Sequence, residues 1–444
     1  MRRIVIGRVA TLAAAIGSLP ILLLLVGCAD DEVQPVDRDG GEPAREGGTL
    51  RVERCGYDVS TRPGSSAPVP GEPRFGADPT PRLLHLGLQG DPRTTMVIQW
   101  RTVDETTLAS TVQFGVGAGL DQTLEGLTFT YQTGVDTTIR VHEAHLCGLE
   151  PDTAYRYRVG GADAQHWSPT YSFRTAPDPA LDPDAEVTLA FTGDSRNGFD
   201  VWGEIVGVMQ AHAPDVILFS GDAVSTGAVQ AEWEAFFAAA EPLLATTPLI
   251  AAHGNHEGNA INYYAQVVLP GDEEQFGLDY GPLHLTVVND SPGDDAEIEG
   301  EIRDFLQADL EASRDAPWNL MMHHRPLWSA STRHGSNTRL QAAWGPIIDA
   351  AELDLVLSGH DHDYERSKPM RGSAAQDSTA DGTVYLVAGG AGASLYENGT
   401  DTFTAYSEKT HSTVVLELRP GTLEATALRE DGSTIETFSL VNAP

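Results

Sequence analysis

Along residues 186–444 the chain alternates short apolar runs with longer amphipathic stretches. The runs Val187–Phe191, Val216–Ser220, Pro248–Ala252, Leu283–Val288, Asn319–Met322, Leu353–Leu357 and Val384–Val387 are too short for helices, and their length and apolar character are those of buried strands. Between several of them, "DVWGEIVGVMQAHA", "AVQAEWEAFFAAAEPLL" and "EIRDFLQADLEAS" repeat apolar residues at helical spacing. Strand and helix in alternation predict an α/β layered domain. The closing stretch "STVVLELRPGTLEATALREDGSTIETFSL" alternates apolar and polar positions between Gly turns and predicts antiparallel strands that extend the sheet.

Upstream, the rhythm differs. From 81 to 177, "TTMVIQWRT", "STVQFG", "HEAHLCGL", "AYRYRVGG" and "YSFRTAP" read as roughly seven strands parted by turn residues, a β-sandwich pattern. Residues 29–80 are rich in Asp, Glu, Gly and Pro, bury little apolar surface and read as a tether, interrupted by a short strand around Thr49–Val52. Residues 1–28 have a basic start, Met1-Arg2-Arg3, and an apolar run from Thr11 to Val26 that is short for a membrane span, so they read as an export signal. The run ends Leu25-Val26-Gly27-Cys28, which resembles a bacterial lipobox, in which the Cys becomes the lipidated first residue of the mature protein. The expectation is therefore an exported chain, lipid-anchored at Cys28 in the cell envelope (periplasm or outer membrane face) or extracellular.

Charge narrows the partners. Against 64 acidic residues stand 28 basic ones, a net charge of −36, so nucleic acid and anionic membrane surfaces are repelled. Phosphate is repelled too, and any phosphate chemistry needs local positive charge. Beyond Cys28 only Cys55 and Cys147 remain; export permits a disulfide between them, and two buried thiols fit the sequence equally well.

Polar clusters follow the predicted strands: "GDSRNG" with Asp194, "GDAVSTG" with Asp222, "GNHEGN" with Asn255, His256 and Glu257, "MMHHRP" with His323 and His324, and "GHDHDYER" with His360 and His362. Open α/β sheets bind ligands beyond the carboxyl ends of their strands, so these stretches converge. They offer carboxylate, amide oxygen and imidazole but no thiolate, a set suited to Mn, Fe or Zn. Six donors exceed one tetrahedral zinc and suit two ions about 3.5–4 Å apart, bridged by a carboxylate. Such a pair would also supply the positive charge that the surface lacks.

In this order, GD, GDxx(Ser), GNHE, HRP and GHDHDYER, with "LHLGLQGDPRTTMVIQWRT" and "WSPTYSFRTAP" before them and "GTVYLVAGGAGASLY" after, the chain resembles the purple acid phosphatases of the calcineurin-like metallophosphoesterase superfamily over residues 81–444. The resemblance implies a fibronectin type III-like all-β domain at 81–177, with "GLEPDTAYRYRVGG" as its tyrosine-bearing strand and corner, and a metallophosphoesterase β-sandwich flanked by helices at 186–444. It implies that Asp194 and His362 hold one ion, that Asp222 bridges, and that Asn255, His360 and His324 hold the second. His256 would touch the phosphate and His334 would donate a proton to the leaving group. His323 would serve as outer support or core, Asp361 and Asp363 as supports or solvated turn residues, and Glu365 with Arg366 as an ion pair behind the site.

Two positions depart from the pattern. The family's tyrosine ligand, three residues after the bridging Asp, is Ser225 here, and the histidine used in the wider superfamily, two residues after the first Asp, is Arg196. A guanidinium stays protonated and cannot ligate. Arg196 is expected to bind substrate phosphate, and the first ion is expected to lack a protein donor that water or Ser225 would replace. The implied function is hydrolysis of phosphate monoesters by a metal-bound hydroxide at a dinuclear site. The rivals are a phosphodiesterase on the same site and an inactive surface-anchored binding lipoprotein.

Overall fold

The computed structural model describes residues 45–46, 49–62, 64–66, 76–133, 137–161, 166–292 and 294–441. The expected export signal, Cys28 and most of the acidic tether lie outside the described residues.

The all-β part holds a five-stranded sheet, in the order 65–66, 127–133, 137–147, 95–101, 82–87, and a four-stranded sheet, in the order 171–174, 154–160, 111–116, 122–125. Eight of these strands fall within 81–177, one more than the roughly seven expected, because Gln122–Glu125 and Leu127–Thr133 are separate strands in different sheets. Alternation decides which residues are buried: Met96, Ile98 and Trp100 of one strand meet Val112, Phe114, Tyr155 and Tyr157 in the core. The Tyr155 hydroxyl accepts the Glu150 N–H at 2.9 Å, so the tyrosine does pin the turn before its strand.

Downstream, the chain runs β1 (Val187–Thr192), α1 (Phe199–Ala211), β2 (Val216–Phe219), α2 (Gln230–Leu244), β3 (Leu249–Ala251), α3 (Ile261–Gln266), β4 (Phe276–Tyr280) and β5 (Leu283–Val287). It continues through α4 (Glu301–Ala312), β6 (Trp318–Met322), α5 (Thr338–Ala351), β7 (Leu355–Ser358), β8 (Tyr364–Ser367), β9 (Val384–Ala388), β10 (Thr404–Glu408), β11 (Ser412–Arg419), β12 (Thr422–Arg429) and β13 (Thr434–Val441). One sheet has the order β3-β2-β1-β11-β12-β13, and the other β4-β5-β6-β7-β9-β8-β10. β1, β2 and β3 are mutually parallel, as are β5, β6, β7 and β9, so their carboxyl ends share one edge in each sheet. The C-terminal strands pair antiparallel with β1 and each other, as their alternating pattern predicts.

The second sheet is buried on both faces. Leu320 and Met322 of β6 and Leu355 and Leu357 of β7 join the large central core, whereas Met321 and Val356 between them join an outer core with Leu306, Leu310, Trp344 and Ile348 of α4 and α5. Two-sided burial explains why these strands read as continuous apolar runs. The central core continues from the all-β part, through Leu84 and Trp100, to Phe191, Trp202 and Phe236. Polar contacts also cross this junction: the Tyr131 hydroxyl donates to Gln230 Oε1 at 2.7 Å and that of Tyr157 to the Ala245 carbonyl at 2.7 Å.

The expected strand at Thr49–Val52 forms, and the tether expectation fails for residues 53–62 and 64–66. Thr49–Val52, Tyr57–Val59 and Ser65–Ser66 are strands, and Leu50, Val52 and Val59 pack on Leu127, Phe129, Tyr131, Ile139 and Val141. Buried Arg62 bridges Glu143 and Glu273, each at 3.1 Å, and Cys55 is joined to Cys147 by a disulfide with Cα atoms 5.4 Å apart. Few apolar residues suffice here because they complete a patch that the sandwich already presents.

Candidate metal centre

The ligand-bearing residues sit where parallel strands end and the backbone turns sharply. Asp194 follows β1, Asp222 follows β2, Asn255 and His256 follow β3, His324 follows β6 and His360 follows β7. Asp194, Arg196, Asp222 and His360 all have left-handed φ, at 61°, 47°, 57° and 66°. Such conformations cost about 1–3 kcal/mol each in non-glycine residues and gather at functional sites. Crowding explains the preceding glycines: a Cβ on Gly359 would collide with the Asp194 carboxylate, and one on Gly254 with Asp222.

Three histidines are oriented in the same way. His324 Nδ1 lies 2.8 Å from the Ser220 carbonyl, His362 Nδ1 2.8 Å from the Ser394 carbonyl, and His256 Nδ1 2.7 Å from the Ser225 carbonyl. A carbonyl only accepts, so each Nδ1 carries a proton and each Nε2 is turned to the interior of the site. His324 Nε2 stands 3.3 Å from Asp222 Oδ1, 3.2 Å from Asn255 Oδ1 and 3.2 Å from His360 Nδ1. The ligand atoms of Asp222, His324 and His360 lie within 4.8 Å of one another.

On the other side, His362 Nε2 faces Asp194 Oδ1 at 3.5 Å, and that oxygen is buried without a hydrogen-bond partner. The second Asp194 oxygen accepts the His360 N–H at 2.8 Å. Asp222 Oδ2 points toward His256 Nε2 at 3.7 Å, so one Asp222 oxygen faces His324 and the other His256. An orphaned carboxylate oxygen, converging imidazole lone pairs and an amide oxygen are a fitting donor set for hard or borderline cations. Burial opposes charge on His324, but Asp222 and then Asp194 outweigh it and push it up to about 10; burial and charged His324 hold His360 down to about 2.

The sequence matches the family described as calcineurin-like phosphoesterase over residues 187–364, after a match to purple acid phosphatase, N-terminal domain, over residues 81–175. The chain belongs to the calcineurin-like metallophosphoesterases, as a purple acid phosphatase-like member. Purple acid phosphatase 21 of Arabidopsis thaliana is 25% identical over 342 residues, 72% of this chain and 73% of its own. Acid phosphatase type 7 of Homo sapiens is 28% identical over 353 residues, 70% of this chain and 78% of its own. The solved purple acid phosphatase from yellow lupin (Lupinus luteus) seeds shares the fold, with a TM-score of 0.72 at 19% identity over 82% of this chain and 74% of that one. Members of this family are metal-dependent phosphoester hydrolases, and this chain is an enzyme of that class.

Around the donor set, this metallophosphoesterase places its other expected residues unevenly. Arg196 lies beside His256, with Nη2 3.4 Å from Nδ1, and its Nε is buried without a partner. His334 is exposed, with its ring centroid 4.3 Å from that of His360. His323 turns away to Asp290, 3.0 Å off, and packs edge-on against Trp344. Asp361 and Asp363 are both buried, which removes the solvated-turn alternative. Asp361 accepts from Ser329 Oγ at 2.7 Å and from the Gly335 N–H at 3.1 Å, and so holds the loop that carries His334. Burial, then Asp361 and Glu365, push Asp363 up to about 8.

The expected Glu365–Arg366 pair does not form. Neighbours on β8 point to opposite faces: Arg366 pairs with Glu436 at 2.7 Å, while Glu365 accepts from the Ala330 N–H and Thr404 Oγ1, each at 2.7 Å. Glu257 stands in an expected cluster without an expected role, and Tyr396 lies outside every expected polar cluster. Glu257 gathers three backbone N–H groups around Asp222, and Tyr396 stacks on His362 with ring centroids 4.0 Å apart. The Glu of GNHE was in plain view, but its role depends on a backbone fold that the spacing does not encode.

Proposed function

We propose that this chain hydrolyses phosphate monoesters at a site for two metal ions, exported and held at the cell envelope by a lipid on Cys28. The observation that carries the reading is the fixed tautomer of His256, His324 and His362, whose Nε2 atoms turn toward the Asp194–Asp222 pair. Asp194 and His362 would hold one ion, Asn255, His324 and His360 the other, and Asp222 would lie between them. Ions of the Fe, Zn or Mn kind supply positive charge to the phosphoryl oxygens and acidify a water for in-line attack.

The chain's own residues do the rest. His256, with Nδ1–H committed to Ser225, would donate to the phosphoryl group from Nε2–H in its imidazolium form, and Arg196 beside it offers the guanidinium that offsets phosphate charge. His334, at the mouth, is placed to protonate the departing alkoxide. A site this rich in carboxylate would repel phosphate without these cations and the ions.

Purified protein should carry about two metal equivalents by elemental analysis and hydrolyse nitrophenyl phosphate faster than bis-nitrophenyl phosphate. The reverse preference would make it a phosphodiesterase. Fewer than one tightly held equivalent, with no turnover of either ester, would favour the binding lipoprotein, a reading to which the Ser225 and Arg196 departures lend support.

A further inference from the structure

The half-site of Asp194 and His362 is the one that lacks a ligand at positions 196 and 225, yet it is the more tightly held from another direction. The loop after β9, Gly389–Tyr396, contacts both of its residues. The Ala391 N–H donates to the Gly193 carbonyl and the Ala393 N–H to the Asp194 carbonyl, each at 2.9 Å. The Ser394 carbonyl receives His362 Nδ1 at 2.8 Å, and the Tyr396 N–H donates to the His362 carbonyl at 2.9 Å. The Tyr396 ring then lies nearly parallel on the imidazole, at 16° and 4.0 Å.

Tyr396 is itself held in place. The Arg333 guanidinium sits 5.9 Å from the ring centroid, and His334 meets the ring edge-on at 5.5 Å. The Ser225 backbone is held on both sides: its N–H donates to Glu232 at 2.6 Å and its carbonyl accepts from His256.

We propose that Tyr396 is a positioning residue for the first ion: its ring, stacked on His362, fixes the imidazole against Asp194 and replaces from outside the site the order that a ligand at position 225 would impose from within. The imidazole of a half-site with only two donors besides the shared Asp222 can swing about its Cβ–Cγ bond unless something covers its face, and the Ser394 carbonyl restrains only one ring atom. Tyr396 supplies the covering face. This inference rests on the two-ion reading above.

The test compares Tyr396→Phe with Tyr396→Leu. Each chelated protein is titrated with Zn²⁺, and bound metal is counted after dialysis. The ring alone should suffice, so Tyr396→Phe should hold both ions as wild type does. Tyr396→Leu should bind one ion normally and the other about 10–100-fold more weakly, the usual cost of losing an outer support. The metal-free proteins should melt within about 2 °C of one another, since the ring is only half-buried. The inference is overturned if Tyr396→Leu keeps both ions at wild-type affinity, or if Tyr396→Phe is as weak as Tyr396→Leu, which would assign the role to the hydroxyl. A joint loss of both ions with a lowered melting point would make Tyr396 a fold element and overturn it too. Fewer than two ions on wild type would instead sink the reading on which it rests.

Discussion

Glu257 holds Asp222 by the backbone rather than by the side chain. One of its oxygens accepts the Asp222 N–H at 3.0 Å and the Gly254 N–H at 2.9 Å, and the other accepts the Ala223 N–H at 2.8 Å. The Asp222 carboxylate stays turned toward His324 and toward His256, whose backbone N–H it accepts at 2.9 Å, while its φ stays left-handed. Glu257→Gln places an amide –NH₂ against at least one of these N–H donors. Stability should fall by about 1–3 kcal/mol, the cost of a buried donor left unpaired, as read from urea unfolding of the metal-free protein. An unchanged midpoint would refute this arrangement.

Asp222 itself carries a different expectation. Asp222→Asn keeps the shape and accepts the left-handed backbone, so the fold should survive with its melting curve intact. Turnover should drop by more than the about 10–100-fold typical of losing an outer partner, and the protein should lose metal on dialysis. Full activity with full metal content would rule out the bridging role.

Arg196 is predicted to act on binding. With its Nε buried and unpaired beside His256, it has donors to spare for an anion. Arg196→Ala should raise KM for nitrophenyl phosphate about 10–100-fold, the worth of a charge-assisted hydrogen bond, and change kcat less. If KM stays at the wild-type value, Arg196 does not touch the phosphate.

Distant from the site, His284 provides a pH signature. Burial opposes its charge, but hydrogen bonds with Asp279 at 2.7 Å and Asp309 at 3.1 Å prevail and raise it to about 9. A folded-state value above the unfolded one, about 6.5, means stability that is fully present below that pH and lost as pH rises through about 9. Because Asp279 is 80% exposed, screening reduces the contribution to about 1 kcal/mol. His284→Gln should therefore be less stable than wild type at pH 6 and indistinguishable from it at pH 10 in denaturant melts; a constant difference would contradict the linkage.

The Cys55–Cys147 bridge spans 92 residues and ties the 49–66 strands to the sandwich. Cross-links closing loops of this length typically add about 2–4 kcal/mol. The double variant Cys55→Ser, Cys147→Ser should lose that much in urea unfolding, and equal stability would show that buried Leu50, Val52 and Val59 hold the segment unaided.

The strand ends were legible because each ligand stretch directly follows an apolar run and begins with Gly or an imidazole pair. Val216–Phe219 running into Asp222 and Leu355–Ser358 running into His360 are examples. Other features lay in partners distant in the chain. Tyr396 reaches His362 across 34 positions with no spacing rule to announce it, and Leu50 and Val59 find their apolar patch at Phe129 and Ile139. The Glu365–Arg366 expectation failed for a local reason. Adjacent residues in an extended strand diverge, so opposite charge does not bring the two together.

The left-handed turns at Asp194, Asp222 and His360 also filter which amino acids natural variation can try there. Asp and Asn enter that conformation readily and branched side chains do not, so the easiest neighbour of each aspartate is its own amide. A lineage drifting away from catalysis could reach a folded, less charged descendant by a single-atom exchange at position 194 or 222, whereas His360 has few such exits. In this protein, loss of activity is a shorter evolutionary step than loss of shape.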